Sequence, residues 1–198
     1  AVVKDLDKAS FPVKNIVPFI ETVHDRSVVE TFRGCTRGCR FCQAGMIYRP
    51  VRERKKETIE RLAMAQLENT GHDELSLLSL STSDHSRFEE LATELMEMCA
   101  GRNVALSLPS LRMDSFSFKV LDEIQGYRKS GLTFAPEAGS QRLRDIINKN
   151  ITEEDIFGAV EQAIQLGWEH IKLYFMAGLP GETYEDLAGI GEIARKIM

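Results

Sequence analysis

The chain has 198 residues, of which 43% are hydrophobic and 28% charged, with a net charge of -5 and four cysteines. That length buries a core without staples, and the balance excludes a disordered tail, a disulfide-stapled miniprotein and a membrane-embedded chain. No apolar run approaches the ~20 residues of a bilayer span, and the opening AVVKDLDKASF lacks the basic flank and apolar stretch of a signal peptide, so a cytoplasmic protein with no membrane partner is expected.

In chain order, residues 1–27, a mixed polar stretch with Pro12 and Pro18, read as a leading linker or an added strand. One core domain is expected over 28–198. Its strands are predicted at 28–32, 75–80, 104–108, 132–135 and 171–176, each short and rich in β-branched or apolar residues. Helical spacing follows each of them. Ile59, Leu62, Ala63 and Leu67 lie on one face, as do Phe88, Leu91, Ala92, Leu95 and Cys99. A third helix is predicted over 116–124. Leu143, Ile146 and Ile147 mark a fourth, and Ile156, Ala159, Val160 and Ala163 a fifth that starts at a Thr152 cap with Asp155 three residues on. The last helix is predicted over 184–197. Strand starts recur at roughly 30 to 50 residues, the length of a β-then-α unit whose strands lie parallel. The chemistry of such α/β folds gathers at the carboxyl ends of the strands, whether the sheet is open or curled into a barrel. The start without Met and the end straight after a helix are expected of a piece of a longer chain.

Three of the four cysteines fall in the run RGCTRGCRFC, directly after the first predicted strand. Cys35, Cys39 and Cys42 form C-x3-C-x2-C in a loop with Gly34 and Gly38, which can bring three sulfurs together. Three thiolates suit an iron–sulfur cluster with one iron left open. Zinc is the competing metal, but the fourth ligand is missing: His24, His72, His85 and His170 are scattered, and Cys99 belongs to a helical face. Three buried thiols without a ligand are hard to reconcile with Thr36, Arg37 and Arg40 beside them.

This spacing, with Phe41 just before the third cysteine, resembles the signature of the radical SAM superfamily. TFAPEAGSQRLRDIINKNIT resembles the E-x-G-S, helix, K/R-x-x-T segment of the methylthiotransferase-type and cobalamin-linked branches, matching Glu137, Gly139 and Ser140. LYFMAGLPGET resembles their G-x-P-G-E-T turn, and RGCTRGCRFCQAGMIYRPVRER is similar to members that carry a cobalamin-binding domain ahead of the radical domain. The resemblance spans nearly all of residues 28 to 190. It implies a partial (β/α)6 TIM-like barrel of parallel strands with outer helices, here lacking the last unit. It implies a 4Fe-4S cluster on Cys35, Cys39 and Cys42, with S-adenosylmethionine (SAM) chelating the fourth iron and cleaved reductively to a 5′-deoxyadenosyl radical. An electron-donor protein such as a flavodoxin or ferredoxin would supply the electron, and cobalamin would come through another domain of the full-length protein. Hydrogen abstraction, methylthiolation and methyl transfer on an unknown substrate all stay open.

One departure is the second strand's end. Where the family has a Gly-Gly-Glu-like stretch for the amino group of SAM, this chain has LSLSTSD, so Ser81 and Thr82 are the expected contacts. Glu137 is expected to face a ribose or an ammonium group, and Arg112 to pair with the SAM carboxylate. Phe41 is expected against the adenine, with Ser140, Met176 and Gly178 completing the cofactor site; glycine permits close approach of a ring. Arg33, Arg37, Arg40, Arg49, Arg52, Arg54, Lys55 and Lys56 stand against Glu53 alone over 33–56. This basic run reads as compensation for an anionic cluster and the SAM carboxylate, or alternatively as a docking surface for RNA. A non-catalytic iron–sulfur or zinc module is the remaining alternative.

Overall fold

The computed structural model describes residues 2–20, 22–109, 111–115, 120 and 132–198. Parallel strands carry the architecture. β1 (Ser27–Glu30), β4 (Glu74–Leu78) and β5 (Ala105–Ser107) form one sheet in the order β1-β4-β5, with Val28 opposite Ser76 and Leu75 opposite Leu106. β6 (Leu132–Glu137) and β7 (Ile171–Phe175) form a second parallel pair, whose register shifts between Phe134 and Glu137. The five β-then-α units expected from the spacing supply these strands, and among the described residues they do not close into a barrel.

The strand expected over 28–32 breaks at Thr31. β2 (Phe32–Arg33) leaves the parallel sheet and pairs antiparallel with β3 (Arg52–Glu53), closing a hairpin around the cysteines. Thr31 serves both layers, its N–H donating to Leu78 O at 3.0 Å and its carbonyl accepting from Arg54 N at 2.9 Å.

Helices pack on these strands through the faces their sequences mark. α1 (Gln43–Ile47) is a short turn of helix after the cysteines. α2 (Lys56–Thr70) buries Ile59, Leu62, Ala63 and Leu67, and ends where Gly71 adopts φ +72 and its N–H caps Leu67 O. α3 (Phe88–Ala100) buries Phe88, Leu91, Ala92, Leu95 and Cys99. α4 (Gln141–Ile146) is capped by Ser140, and α5 (Glu153–Gln165) starts with a reciprocal capping box between Thr152 and Asp155. α6 (Tyr184–Ile197) closes the chain with a similar box between Thr183 and Asp186. The helix expected over 116–124 lies outside the described residues except for Val120, which is buried.

Leu75, Leu77, Ile59 and Leu95 lie in one core cluster, Phe134, Ile156, Phe88 and Trp168 in another, and α3 contributes to both. Among the described residues ahead of β1 no strand forms. Leu6 is fully buried, Gln66 Nε2 donates to Pro12 O at 3.0 Å, and Lys55 N donates to Asp7 Oδ1 at 2.9 Å, so residues 6–12 lie along the start and the flank of α2. No helix among the described residues is long and apolar enough to cross a membrane.

Candidate functional site

The cysteine loop is bonded to the turns after β4, β5 and α4. Two features set its path. Gly34 has φ +95 and a Cβ there would stand 2.7 Å from Tyr48 O, so only glycine lets the loop leave β2 against the hairpin. On the far side, Arg40 N donates to Ile147 O at 2.9 Å and Asn148 Nδ2 donates to Gly38 O at 2.9 Å, seating the loop on the turn after α4.

All four cysteines are free thiols. Cys42 is the N-cap of α1, its Sγ accepting from Gly45 N at 3.3 Å, and Cys35 Sγ accepts from Arg37 N at 3.5 Å. Cys39 is buried between them in sequence, with its carbonyl accepting from Cys42 N. As they stand, no three Cys, His, Asp or Glu side chains among the described residues are gathered closely enough to hold a metal ion. The donor chemistry is nonetheless that of iron–sulfur ligation: three thiols on one loop, two of them already oriented by backbone N–H groups. Among the described residues, three histidines and the fourth cysteine are engaged elsewhere. His85 Nε2 bonds to Arg54 O at 3.1 Å, His72 pairs with Asp25, His24 bonds to Arg26, and Cys99 lies in the core behind α3. Burial pushes the Cys99 thiol up to about 11, leaving it neutral and inert.

The cofactor residues expected from the sequence divide into two groups. Phe41, Glu137, Arg112, Ser81 and Met176 come to the cysteine edge. Phe41 is partly exposed with Lys149 Nζ 5.9 Å from its ring centroid, and that ammonium also donates to Glu137 Oε1 at 3.0 Å. Glu137 has φ +70 at the register shift that ends β6, a conformation costly for a side-chain-bearing residue and frequent at functional sites. Its carbonyl accepts from Met176 N at 2.8 Å, which brings Met176 alongside. Arg112 does not point an open fork at the edge. Its Nε donates to Asp114 Oδ1 at 2.8 Å and its Nη2 to Asp114 Oδ2 and Lys149 O, both at 3.1 Å. Ser81 Oγ donates to Asp84 Oδ2 at 2.7 Å, and Thr82 is fully buried with its hydroxyl on Ser79 Oγ at 2.9 Å.

Ser140 faces the other way, toward α6, and Gly178 is engaged within its own turn. Ser140 Oγ accepts from Leu143 N at 3.1 Å and donates to Asp186, and Gly178 N donates to Glu182 Oε2 at 2.6 Å. The E-x-G-S segment therefore has a structural half. Gly139 and Ser140 dock α6, while Glu137 faces the cysteine edge.

Five residues were not singled out for the site by their sequence setting: Asp84, Asp114, Asn148, Lys149 and the fully buried Arg144. Arg144 donates to Ala138 O at 2.9 Å and Ile151 O at 3.0 Å, holding the turn that carries Glu137. Asp84, Asp114 and Asn148 bond to Arg37 or Gly38, far away in the chain, Arg144 bonds mainly to backbone carbonyls, and Lys149 is the lysine of the K-x-x-T segment, to which the sequence reading gave no site role.

The basic run is mostly spent internally. Arg33 forks onto Glu30 at 2.8 Å twice, and Arg52 donates to the carbonyls of Pro50, Val3 and Tyr48 at 2.9, 3.0 and 3.0 Å. Arg49 donates to Gly45 O at 3.0 Å, Arg40 to Ile146 O, and Lys56 lies among Glu60, Glu90 and Glu94. A cleft of about 640 Å³ beside Gly34 is walled by Phe32, Ile47, Tyr48, Leu78 and Leu80. With Arg33, Arg49 and Arg52 committed on its rim, it suits an apolar group better than a phosphate.

The comparisons with known proteins agree with this architecture. An uncharacterized protein of Methanocaldococcus jannaschii is 38% identical over 170 residues, covering 86% of this chain and 37% of that protein. A second protein of that archaeon, provisionally named a methylthiotransferase, is 24% identical over 80% of this chain and 36% of its own length. The chain thus spans a little over a third of the curated relatives it matches. In fold it is similar to the radical S-adenosylmethionine methyltransferase TsrM of Kitasatospora setae, solved with cobalamin and a [4Fe-4S] cluster bound. The TM-score is 0.70 at 14% identity over 86% of this chain and 34% of that one. The model of the radical SAM superfamily matches residues 29–193, from β1 through nearly all of α6, and the chain belongs to that superfamily.

Proposed function

We propose that this chain is the catalytic core of a radical SAM enzyme, with Cys35, Cys39 and Cys42 as the ligands of a 4Fe-4S cluster. When bound, that cluster would supply the electron for reductive cleavage of the SAM sulfonium at its open iron. The chain's own residues hold and orient. Glu137, aimed from a left-handed turn and braced by Lys149, would accept from the ribose hydroxyls or the amino group of SAM. Phe41 and Met176 would form the apolar surface beside the adenine. Ser81, Thr82 and Arg112 would act from the turns after β4 and β5, through backbone carbonyls and N–H groups more than through side chains already bonded to neighbours. Ser140 would shape the site by fixing the turn after β6 against α6, and Gly178 by closing the turn after β7 on Glu182.

The observation that carries this reading is the seating of a three-thiol loop on the Ile147–Lys149 turn, which puts Phe41 beside Lys149 and Glu137. Within the superfamily, the methylthiotransferase name of one relative and the cobalamin-bound fold neighbour support transfer of a methyl or methylthio group, with cobalamin held elsewhere in a longer polypeptide. A flavodoxin- or ferredoxin-like donor would deliver the electron.

The test is anaerobic reconstitution with iron and sulfide followed by SAM and a strong reductant. The wild-type protein should release 5′-deoxyadenosine or, with a methyl-transfer substrate, S-adenosylhomocysteine. Glu137→Ala should weaken SAM binding with iron content unchanged. Absence of both products from a protein that holds its iron would overturn the reading in favour of a non-catalytic metal module.

A further inference from the structure

Arg37 lies midway between Cys35 and Cys39, and its guanidinium reaches carboxylates on two other loops. Nε donates to Asp84 Oδ2 at 2.8 Å, with Nη2 completing the fork on Oδ1, in the turn after β4. Nη1 donates to Asp114 Oδ2 at 2.8 Å, in the turn after β5. Asp114 in turn holds Arg112, which reaches on to the backbone of Lys149. Two cations and two anions make the set neutral, and their side chains are only 27%, 12%, 16% and 10% exposed for Arg37, Asp84, Asp114 and Arg112.

An isolated surface ion pair contributes almost nothing, because water screens it and two long side chains must be ordered. This set differs on each count. It is shielded, it includes forked Arg–carboxylate geometry, and each member after the first is ordered by a partner already in place. The bond from Asp84 is the largest influence on the Arg37 guanidinium and raises its pKa, with Asp114 and Cys35 adding to it. Burial alone would push the Asp84 carboxyl up, but the bonds from Arg37 and Ser81 outweigh it and hold the group below the usual carboxylate value.

We infer that Arg37 is a positioning residue for the cysteine loop, held by Asp84 and Asp114 so that the segment from Cys35 to Cys39 keeps one placement against the turns after β4 and β5. The loop has an anchor on each side: Asn148 and Ile147 on the β6 side, and the Arg37 set on the β4–β5 side. Removing the second anchor leaves the thiols tethered from one side only. The placement itself is a property of the metal-free chain; its consequence for iron retention rests on the functional reading above.

The experiment uses the Asp84→Asn/Asp114→Asn double variant, which keeps shape and removes both charges, and Arg37→Lys, whose point charge cannot fork onto two carboxylates. Amide hydrogen exchange of residues 35–42 in the metal-free protein should accelerate on the order of tenfold while α2 and α3 keep their protection. After reconstitution, iron should pass to a chelator on the order of tenfold faster than from wild type. Asp84→Glu, which restores a carboxylate, should recover part of both effects. Unchanged loop exchange in a variant with native protection elsewhere overturns the inference. Should the double variant fail to fold, Arg37→Lys carries the same two readouts. A wild-type protein that takes up no iron, with loop exchange still accelerated in the variants, would overturn the functional reading and leave the positioning role standing.

Discussion

Gly139 and Gly189 meet backbone to backbone: a Cβ on Gly189 would stand 2.8 Å from the Gly139 carbonyl oxygen, and one on Gly139 would stand 2.3 Å from Ile190 N and 2.4 Å from Asp186 O. Neither atom belongs to a flexible side chain, so the helix itself would have to move. Gly139→Ala should destabilise the fold by about 3 kcal/mol, the upper end of overpacking costs, measured by urea unfolding. Gly191→Ala, further along the same helix with open space where a Cβ would stand, should be neutral or slightly stabilising through helix propensity.

Asp186 locks that contact chemically. The hydroxyl of Ser140, with Arg142 and the Thr183 cap, holds its carboxyl well below the usual value. A carboxyl depressed in the folded state contributes stability that is complete above its unfolded value, near 3.9, and fades as pH falls toward the folded one. Asp186→Asn should therefore unfold at lower urea than wild type at pH 6, with the gap narrowing steadily below about pH 4. A constant gap across that range would remove the carboxylate from the account.

Glu60 works in the opposite direction. Burial and the neighbouring Glu94 push its carboxyl up to about 7, against the pull of Lys56. A carboxyl raised by folding binds its proton more tightly in the native state, so native stability declines as pH climbs from the ordinary carboxylate value, near 4.3, to about 7. Glu60→Gln should raise the thermal midpoint at pH 8 and leave it unchanged at pH 4.5. A uniform shift at both values would point to packing instead of charge.

The thiols should separate by reactivity. Cys35 and Cys42 are partly exposed, whereas Cys99 is 2% exposed and its thiol titrates near 11. In metal-free protein, iodoacetamide followed by peptide mass spectrometry should modify Cys35 and Cys42 within minutes and Cys99 only after denaturation.

Much of this was legible in the sequence because it is periodic or local. The faces of α2 and α3, the Thr152 and Asp155 box and the positions of the parallel strands follow from spacing over a few residues. The break at Thr31 was not legible, because two-residue strands such as Phe32–Arg33 and Arg52–Glu53 have no period to detect. The cysteines announced themselves by count and spacing, but their anchors did not: Asp84 and Asp114 stand 47 and 77 residues from Arg37, and each looks like an ordinary turn aspartate where it sits. Ser140 illustrates the converse. A motif drew attention to it, and its hydroxyl is engaged in capping α4 and holding Asp186.

The basic run taught a similar lesson. Eight cations against one anion read as compensation for an anionic cluster, or alternatively as a docking surface for RNA; in the structure the guanidiniums of Arg33, Arg37, Arg49, Arg52 and Arg54 bond to carboxylates and carbonyls of this chain. Charge counted along a sequence does not show which charges are still available to a partner.

The most direct test of the central claim is iron content in four single variants, Cys35→Ala, Cys39→Ala, Cys42→Ala and Cys99→Ala, after identical anaerobic reconstitution. The account predicts that wild type and Cys99→Ala each hold about four irons with the same visible absorption, and that the other three lose both. Retention of full iron by any one of those three, or its loss from Cys99→Ala with the fold intact, would contradict it.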